Sequence, residues 1–174
     1  MPDLLMQLRY IKDVFNKINP TIGVEFAMKT ITIASNKKVK AQIWDTCNFA
    51  QHFIAGCERY RAITTGHYRR AEGALLVYDI TNKESFNHLG YWLKELKEHT
   101  DPNIVIALIG NKVDVLFTDP GKREVQKEQA VQFAKQNGLI FTEESSALAD
   151  VNIKEIIEAV IKSIARNNIL NRNI

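Results

Sequence analysis

This 174-residue sequence has two cysteines, a net charge of only +3 and no long apolar run, and each of these features argues against a class of protein. Cys47 and Cys57 have neither metal-site spacing nor the pattern of a disulfide framework, which favours a reducing compartment. A net charge of +3 without a basic block argues against a nucleic-acid partner. No apolar run is long enough to cross a membrane, and the N-terminus does not resemble a signal peptide. The length and the 45% apolar content predict one globular domain, residues 1–174.

The stretch from Ile104 to Asp114 carries the clearest chemical signal. Its apolar run, Ile104 to Ile109, predicts a strand buried on both faces. Polar residues that follow such a strand lie at the carboxyl edge of the sheet, where open α/β folds bind ligands. Asp114 can accept two parallel N–H bonds from guanine, a pair that adenine does not offer. Asn111 can join neighbouring loops and the Lys112 stem can cover the base, although a polar loop after a core strand is the simpler alternative.

The periodicity of the rest of the chain predicts an α/β fold. Leu4, Leu8, Ile11 and Phe15 recur at helical spacing, which predicts a helix from Asp3 to Phe15. From Ala74 onward strands and helices alternate, which implies a mostly parallel sheet flanked by helices. The other predicted strands are a hairpin (Val24 to Ile33, Val39 to Trp44) and two single strands (Ala74 to Asp79, Leu139 to Thr142). Three further helices are predicted: one that begins at a capping box in Thr81–Glu84, one that ends at Gly138, and one over Ile153–Ile164. The segment Cys47 to Arg70 is predicted to be loop with some helix.

Further polar residues fall at other predicted strand ends. An Asp at the position of Asp45 commonly reaches Mg²⁺ through water, and the hydroxyl of Thr21 can be a direct Mg²⁺ ligand. Ser145, Ser146 and Ala147 are small, so backbone N–H groups there can approach a guanine carbonyl oxygen. Each residue alone is more simply a turn residue or a cap. Their order at successive strand ends favours a single nucleotide site.

Several motifs together resemble the Rab branch of small GTPases, and the hairpin, the Tyr60–Thr64 segment and the Trp92 helix are most similar to the recycling-endosome Rabs. The motifs are Thr21–Phe26, Trp44–Thr46, Glu58–Thr64, Leu76–Thr81, Trp92–Leu96, Asn111–Asp114 and Ser146–Ala147. The resemblance implies the P-loop NTPase type of fold and a GTP/GDP switch with Mg²⁺ that recruits effectors to vesicles. It also implies exchange factors and GTPase-activating proteins as partners, and a cytoplasmic protein that associates with endosomal membranes.

The resemblance implies a role for individual residues. Phe26, Trp44 and Tyr60 match the aromatic triad that Rab effectors contact, with ordinary core packing as the alternative. The implied ligands are Thr21 and Asp45 for Mg²⁺, Gly56 for the γ-phosphate, and Asn111, Lys112, Asp114, Ser146 and Ala147 for the base.

The N-terminal part of the chain departs from the family pattern. The segment Leu4 to Phe15 matches the later part of the family's first helix, so we expect the first strand and the P-loop, which ends in Gly-Lys-Ser or Gly-Lys-Thr, to be absent. Without that cradle, affinity for GTP should fall by roughly four to seven orders of magnitude. Without the strand, two central sheet edges should be unpaired and the chain marginally stable.

Two further departures concern catalysis and anchoring. Cys47 to Ile54 looks like an insert in the catalytic loop, and Cys57 stands where the family has its water-positioning Gln, with Gln51 a possible substitute. Because a thiol is a poor hydrogen-bond donor, hydrolysis should be very weak. The chain also carries no prenylation cysteine near its C-terminus, so we expect no direct membrane anchor. Three interpretations stay open: a truncated Rab-type switch, a non-catalytic effector-binding module, and a nonfunctional fragment of a misassembled gene product.

Overall fold

A computed structural model describes residues 4–12, 26–32, 38–45, 71–141 and 143–171. These residues form a six-stranded sheet in the order β2-β3-β1-β4-β5-β6. Neighbouring strands are parallel except for the antiparallel pair β2–β3, so the predicted mostly parallel sheet with one hairpin is confirmed. The strands are β1 (Leu4–Lys12), β2 (Phe26–Thr32), β3 (Lys38–Asp45), β4 (Gly73–Asp79), β5 (Val105–Asn111) and β6 (Ile140–Phe141).

Helices cover both faces of the sheet. They are α1 (Lys83–Asn87), α2 (Leu89–His99), α3 (Val115–Thr118), α4 (Lys127–Asn137) and α5 (Ile153–Asn171), with a 3₁₀ turn at Pro120–Lys122. Apolar residues of α5 pack against one face, and those of α2 and α4 pack against the other. Because β4 is buried along its whole length and β5 along nearly all of it, the loops that leave their carboxyl ends have a fixed origin.

Local signals set the helix ends close to where the sequence predicts them. The Asn82 side chain accepts the N–H groups of Glu84 and Ser85, so the helix start predicted within Thr81–Glu84 has Asn82 as its cap. Gly138 ends α4 in the left-handed conformation, at φ 70°, as predicted. The helix predicted after the capping box is divided between α1 and α2, which meet at His88.

The predicted helix from Asp3 to Phe15 is wrong over the residues that the structure describes, because Leu4–Lys12 forms a strand. Its backbone lies between β3 and β4, and Leu8 is opposite both Ile43 and Gly73. The central position that we expected to be empty is therefore occupied, and neither neighbour has the unpaired inner edge that we expected. Each unpaired buried backbone group would cost about 1–3 kcal/mol. A short isolated helix is only marginal in water, so the demand of the sheet for a partner outweighs the helical pattern.

Several predictions fall outside the described residues. These include the start of the hairpin at Val24, its turn at Ser35–Lys37, and everything from the Cys47–Ile54 insert to Arg70. Among the helices in the described ranges, none is both long enough and apolar enough to span a bilayer.

Candidate base-binding site

The two central strands β4 and β5 end side by side. Asp79, the last residue of β4, lies opposite Asn111, the last residue of β5, and both are buried. The N–H of Ile80 donates to the carbonyl of Asn111 at 3.1 Å, which extends the pairing one step past the strand. Gly110 allows this close approach, since a Cβ there would lie 2.8 Å from Ile80 Cγ2. The ends of β4 and β5 are thus held together at the carboxyl edge of the sheet.

Asn111 joins the loop after β5 to the loop after β6. Its Oδ1 accepts the N–H of Ala147 at 3.1 Å, and the N–H of Ser145 donates to the carbonyl of Gly110 at 2.7 Å. The N–H of Val113 returns a bond to the carbonyl of Ser145 at 3.0 Å. The N–H of Ala147, which we predicted to face a guanine carbonyl, is therefore bonded to Asn111. Because Oδ1 is bonded to that loop, the part of the Asn111 amide that can donate to a ligand is Nδ2.

Ser146 orients the carboxylate of Asp114. Its hydroxyl donates to Asp114 Oδ1 and accepts the N–H of Ala149 at 2.9 Å, and Ser146 itself is fully buried. Asp114 is half-buried. Because an ionised carboxylate offers about four lone-pair positions, the bond from Ser146 leaves it the capacity to accept two more N–H groups.

Lys112 has the least common backbone conformation at the site. Its φ is 73°, in the left-handed region, which costs a non-glycine residue about 1–3 kcal/mol unless its surroundings fix it. Its Nζ lies 2.6 Å from Oδ2 of Asp79, and Oδ1 of Asp79 accepts both the N–H and the hydroxyl of Thr81, at 2.9 and 2.7 Å. The Lys112 side chain therefore runs from the end of β5 to the end of β4.

A two-point ion pair supports the loop that carries Ser146. Arg123 Nη1 and Nη2 donate to the two carboxylate oxygens of Glu144 at 2.7 and 2.8 Å. The hydrogen bond to Glu144 raises the pKa of Arg123 above its ordinary value, although partial burial lowers it. The Glu144 carbonyl also accepts Asn152 Nδ2 at 2.7 Å, so the loop is held from two sides.

The residues predicted to bind the metal and the γ-phosphate are described only in part. Thr21 and Gly56 lie outside the described residues, and of Asp45 the structure describes only the backbone. Asp45 is the last residue of β3 and pairs with Tyr10 of β1. Tyr10 in turn pairs with Leu75 of β4, so Asp45 and Leu75 lie at the same height in the sheet. At roughly 3.3 Å per residue, that level is about 13 Å before the end of β4. The residues predicted to bind the base are thus brought together, and the backbone of Asp45 lies apart from them.

Two of the three predicted effector-contact aromatics lie opposite each other. The backbone of Phe26 pairs with that of Trp44 across the β2–β3 hairpin. Trp44 is half-buried, which is compatible with its alternative as a packing residue. Tyr60 lies outside the described residues.

The sequence interpretation missed three residues that shape the site: Asp79, Arg123 and Glu144. Asp79 had a usable signal, because it is a polar residue that ends a buried strand next to β5. Arg123 and Glu144 are separated by 21 positions and had no local signal.

Comparison with known proteins agrees with this architecture. The model of the family described as "Ras family" matches residues 4–166. The chain is 49% identical over 160 residues to "GTP-binding protein ypt3" of Schizosaccharomyces pombe, which covers 91% of the chain and 68% of that protein. It is 48% identical to "Ras-related protein Rab11A" of Lotus japonicus (87% of the chain, 60% of that protein). It is 46% identical to "Ras-related protein RABA4a" of Arabidopsis thaliana (94% and 66%).

The chain therefore belongs to the Ras family of small GTPases. Its relatives place it among the Rab proteins of the recycling-endosome branch, so the resemblance found in the sequence is confirmed. The chain spans between 60% and 68% of the length of these three relatives.

Proposed function

We propose that this chain is a Rab-type protein of vesicle traffic, and that the loops 111–114 and 145–147 bind the guanine base of GTP or GDP. The observation that supports this best is the half-buried carboxylate of Asp114, held in place by Ser146 beyond the end of β5. Ligands of open α/β sheets bind at this edge.

The chemistry of the two loops matches guanine. Guanine presents acceptors at N7 and O6 and donors at N1 and the exocyclic amine. The Asn111 Nδ2 group can donate to the acceptor edge, and the Asp114 carboxylate can accept from the two donors. Adenine has an amine in place of O6 and an acceptor at N1, so it would set a lone pair against the carboxylate. A site with buried polar groups rejects a ligand that leaves them unpaired.

The phosphate and metal part of the proposal rests on the sequence motifs. Thr21 and Asp45 would serve Mg²⁺, and Gly56 would meet the γ-phosphate. The sequence contains no Gly-Lys-Ser or Gly-Lys-Thr segment, so no residue is proposed for the phosphate cradle. With Cys57 at the position of the water-positioning Gln, we expect hydrolysis of GTP to be slow.

A second candidate function is that of an effector-binding module that works without nucleotide. The backbone pairing of Phe26 with Trp44 across the hairpin favours it, since these residues match positions that Rab effectors contact. In either case we propose that effectors bind at the β2–β3 hairpin. Exchange factors and GTPase-activating proteins are the other proposed partners, and the proposed location is the endosomal membrane.

Calorimetric titration of the purified chain with GDP and with ADP, each with Mg²⁺, tests the proposal. We expect saturable binding of GDP and at least tenfold weaker binding of ADP, since about 1.4 kcal/mol corresponds to that factor. Equal affinities would refute guanine recognition. Failure of both nucleotides to bind would leave the effector-binding module as the better account.

A further inference from the structure

Asp79 makes two separate sets of contacts at the site, one with each carboxylate oxygen. Oδ1 accepts both the N–H and the hydroxyl of Thr81, which closes the turn after β4. Oδ2 lies 2.6 Å from Lys112 Nζ. The Asp79 side chain is only 7% exposed and that of Lys112 is 29% exposed, so this charge-assisted contact is shielded from water.

We propose that Asp79 is a positioning residue for the base-binding site and acts by holding the Lys112 stem across the face of the bound base. This inference rests on the proposed function and adds to it a residue that none of the sequence motifs assigned to the base. Its physical origin is the location of the ion pair. Because the ammonium is fixed at the end of β4 while the backbone leaves the end of β5, the methylene stem must bridge the two strand ends. An apolar stem in that place can cover a flat ring.

The left-handed backbone of Lys112 supports the same conclusion. An extended strand exit would send the side chain in another direction, and the left-handed conformation at φ 73° is stable only if surrounding contacts fix it. The N–H of Ile80 bonded to the Asn111 carbonyl fixes the residue on one side, and the N–H of Val115 bonded to the Lys112 carbonyl at 3.1 Å fixes it on the other. The ion pair with Asp79 then fixes the side chain.

A residue that contacts the face of the base and a residue that bonds to its edge affect ligand selectivity differently. The Lys112 stem would contact the face, which all purines share, whereas Asp114 would contact the edge, which distinguishes them. Loss of the Asp79 charge should therefore lower affinity for GDP and for inosine diphosphate by the same factor. Loss of one charge-assisted bond corresponds to about ten- to a hundredfold in affinity.

The variants that test this are Asp79→Asn, Lys112→Met and the control Thr81→Val. Asp79→Asn keeps the shape and an oxygen acceptor for Thr81 but loses the charge that holds the ammonium. Thr81→Val removes one bond to Oδ1 and leaves the Lys112 contact. Calorimetry should show that Asp79→Asn weakens the binding of both diphosphates equally and that Thr81→Val binds them almost normally. When Lys112→Met is already present, adding Asp79→Asn should have no further effect on affinity. A full additional loss in the double variant would show that Asp79 does not act through Lys112.

A second measurement needs no nucleotide. The rate at which an amine-reactive ester acylates Lys112, followed by peptide mass spectrometry, should rise severalfold in Asp79→Asn and stay unchanged in Thr81→Val. An unchanged rate in Asp79→Asn would overturn the inference. If wild-type protein fails to bind GDP, the proposed function fails, and the acylation rates alone decide whether Asp79 holds Lys112.

Discussion

The phenol oxygen of Tyr78 lies 2.8 Å from the position that a Cβ on Gly110 would occupy. Tyr78 belongs to β4 and Gly110 to β5, and the two residues pair with each other one position before the ends of their strands. The exit of β5 therefore depends on the absence of a side chain at position 110.

Gly110→Ala should destabilise the protein by about 1–3 kcal/mol, because overpacking in a closed core forces neighbours to shift. The matched control is Gly90→Ala in α2, where a Cβ would meet nothing within 4 Å. That change should be neutral or stabilise by up to about 1 kcal/mol, since alanine is a better helix former. Urea unfolding followed by circular dichroism measures both. Equal effects of the two substitutions would contradict the close approach.

Tyr78 should make stability depend on pH in the alkaline range. Burial first, and the Glu144 carboxylate second, raise the pKa of Tyr78 above its ordinary 10.0, while Arg123 lowers it. The folded state keeps the proton longer than the unfolded state does, so the stabilisation is complete below pH 10 and is lost as pH rises through the folded pKa. The wild type should lose about 1.4 kcal/mol more per pH unit above 10 than Tyr78→Phe does. Urea melts at two alkaline pH values measure this, and identical slopes would refute it.

The ion pair between Arg123 and Glu144 should contribute more to stability than its exposed neighbour, the pair of Lys127 with Glu143. The side chains of Arg123 and Glu144 are 20% and 10% exposed, against 45% and 59% for Lys127 and Glu143. Arg123→Met leaves a largely buried carboxylate without its partner and should cost about 2–4 kcal/mol. Lys127→Met should cost under about 1 kcal/mol. Comparable losses in thermal unfolding would show that the first pair is not a special support of the loop.

Backbone amides of β1 should exchange slowly with solvent. Leu4–Lys12 pairs on both sides, with β3 and with β4, so its N–H groups open only when the centre of the sheet opens. Hydrogen exchange followed by mass spectrometry should give this segment protection close to that of Gly73–Asp79. Exchange as fast as in a short peptide would contradict the central strand and restore the expectation of unpaired sheet edges.

Local patterns were sufficient to predict the strands β4 and β5 and the clustering of Asn111, Asp114, Ser146 and Ala147. Buried strands have continuous apolar runs, and parallel strands bring their carboxyl ends to one edge. Features that depend on distant partners could not be predicted in this way. β1 is a strand because two neighbours need a partner, although its apolar spacing is that of a helix. The contacts of Arg123 with Glu144 and of Lys112 with Asp79 arise only after the chain has folded.

The base preference of Asp114→Asn tests the central claim most directly. An amide replaces one of the two acceptors with a donor, and xanthine has a carbonyl where guanine has its exocyclic amine. Wild-type protein should bind GDP more tightly than xanthosine diphosphate, and Asp114→Asn should reverse the order, with the ratio changing at least about tenfold. The control is Asp119→Asn, an exposed carboxylate nearby whose Oδ1 accepts the N–H of Gly121. An unchanged ratio in Asp114→Asn would contradict the account, because Asp114 would then not read the base.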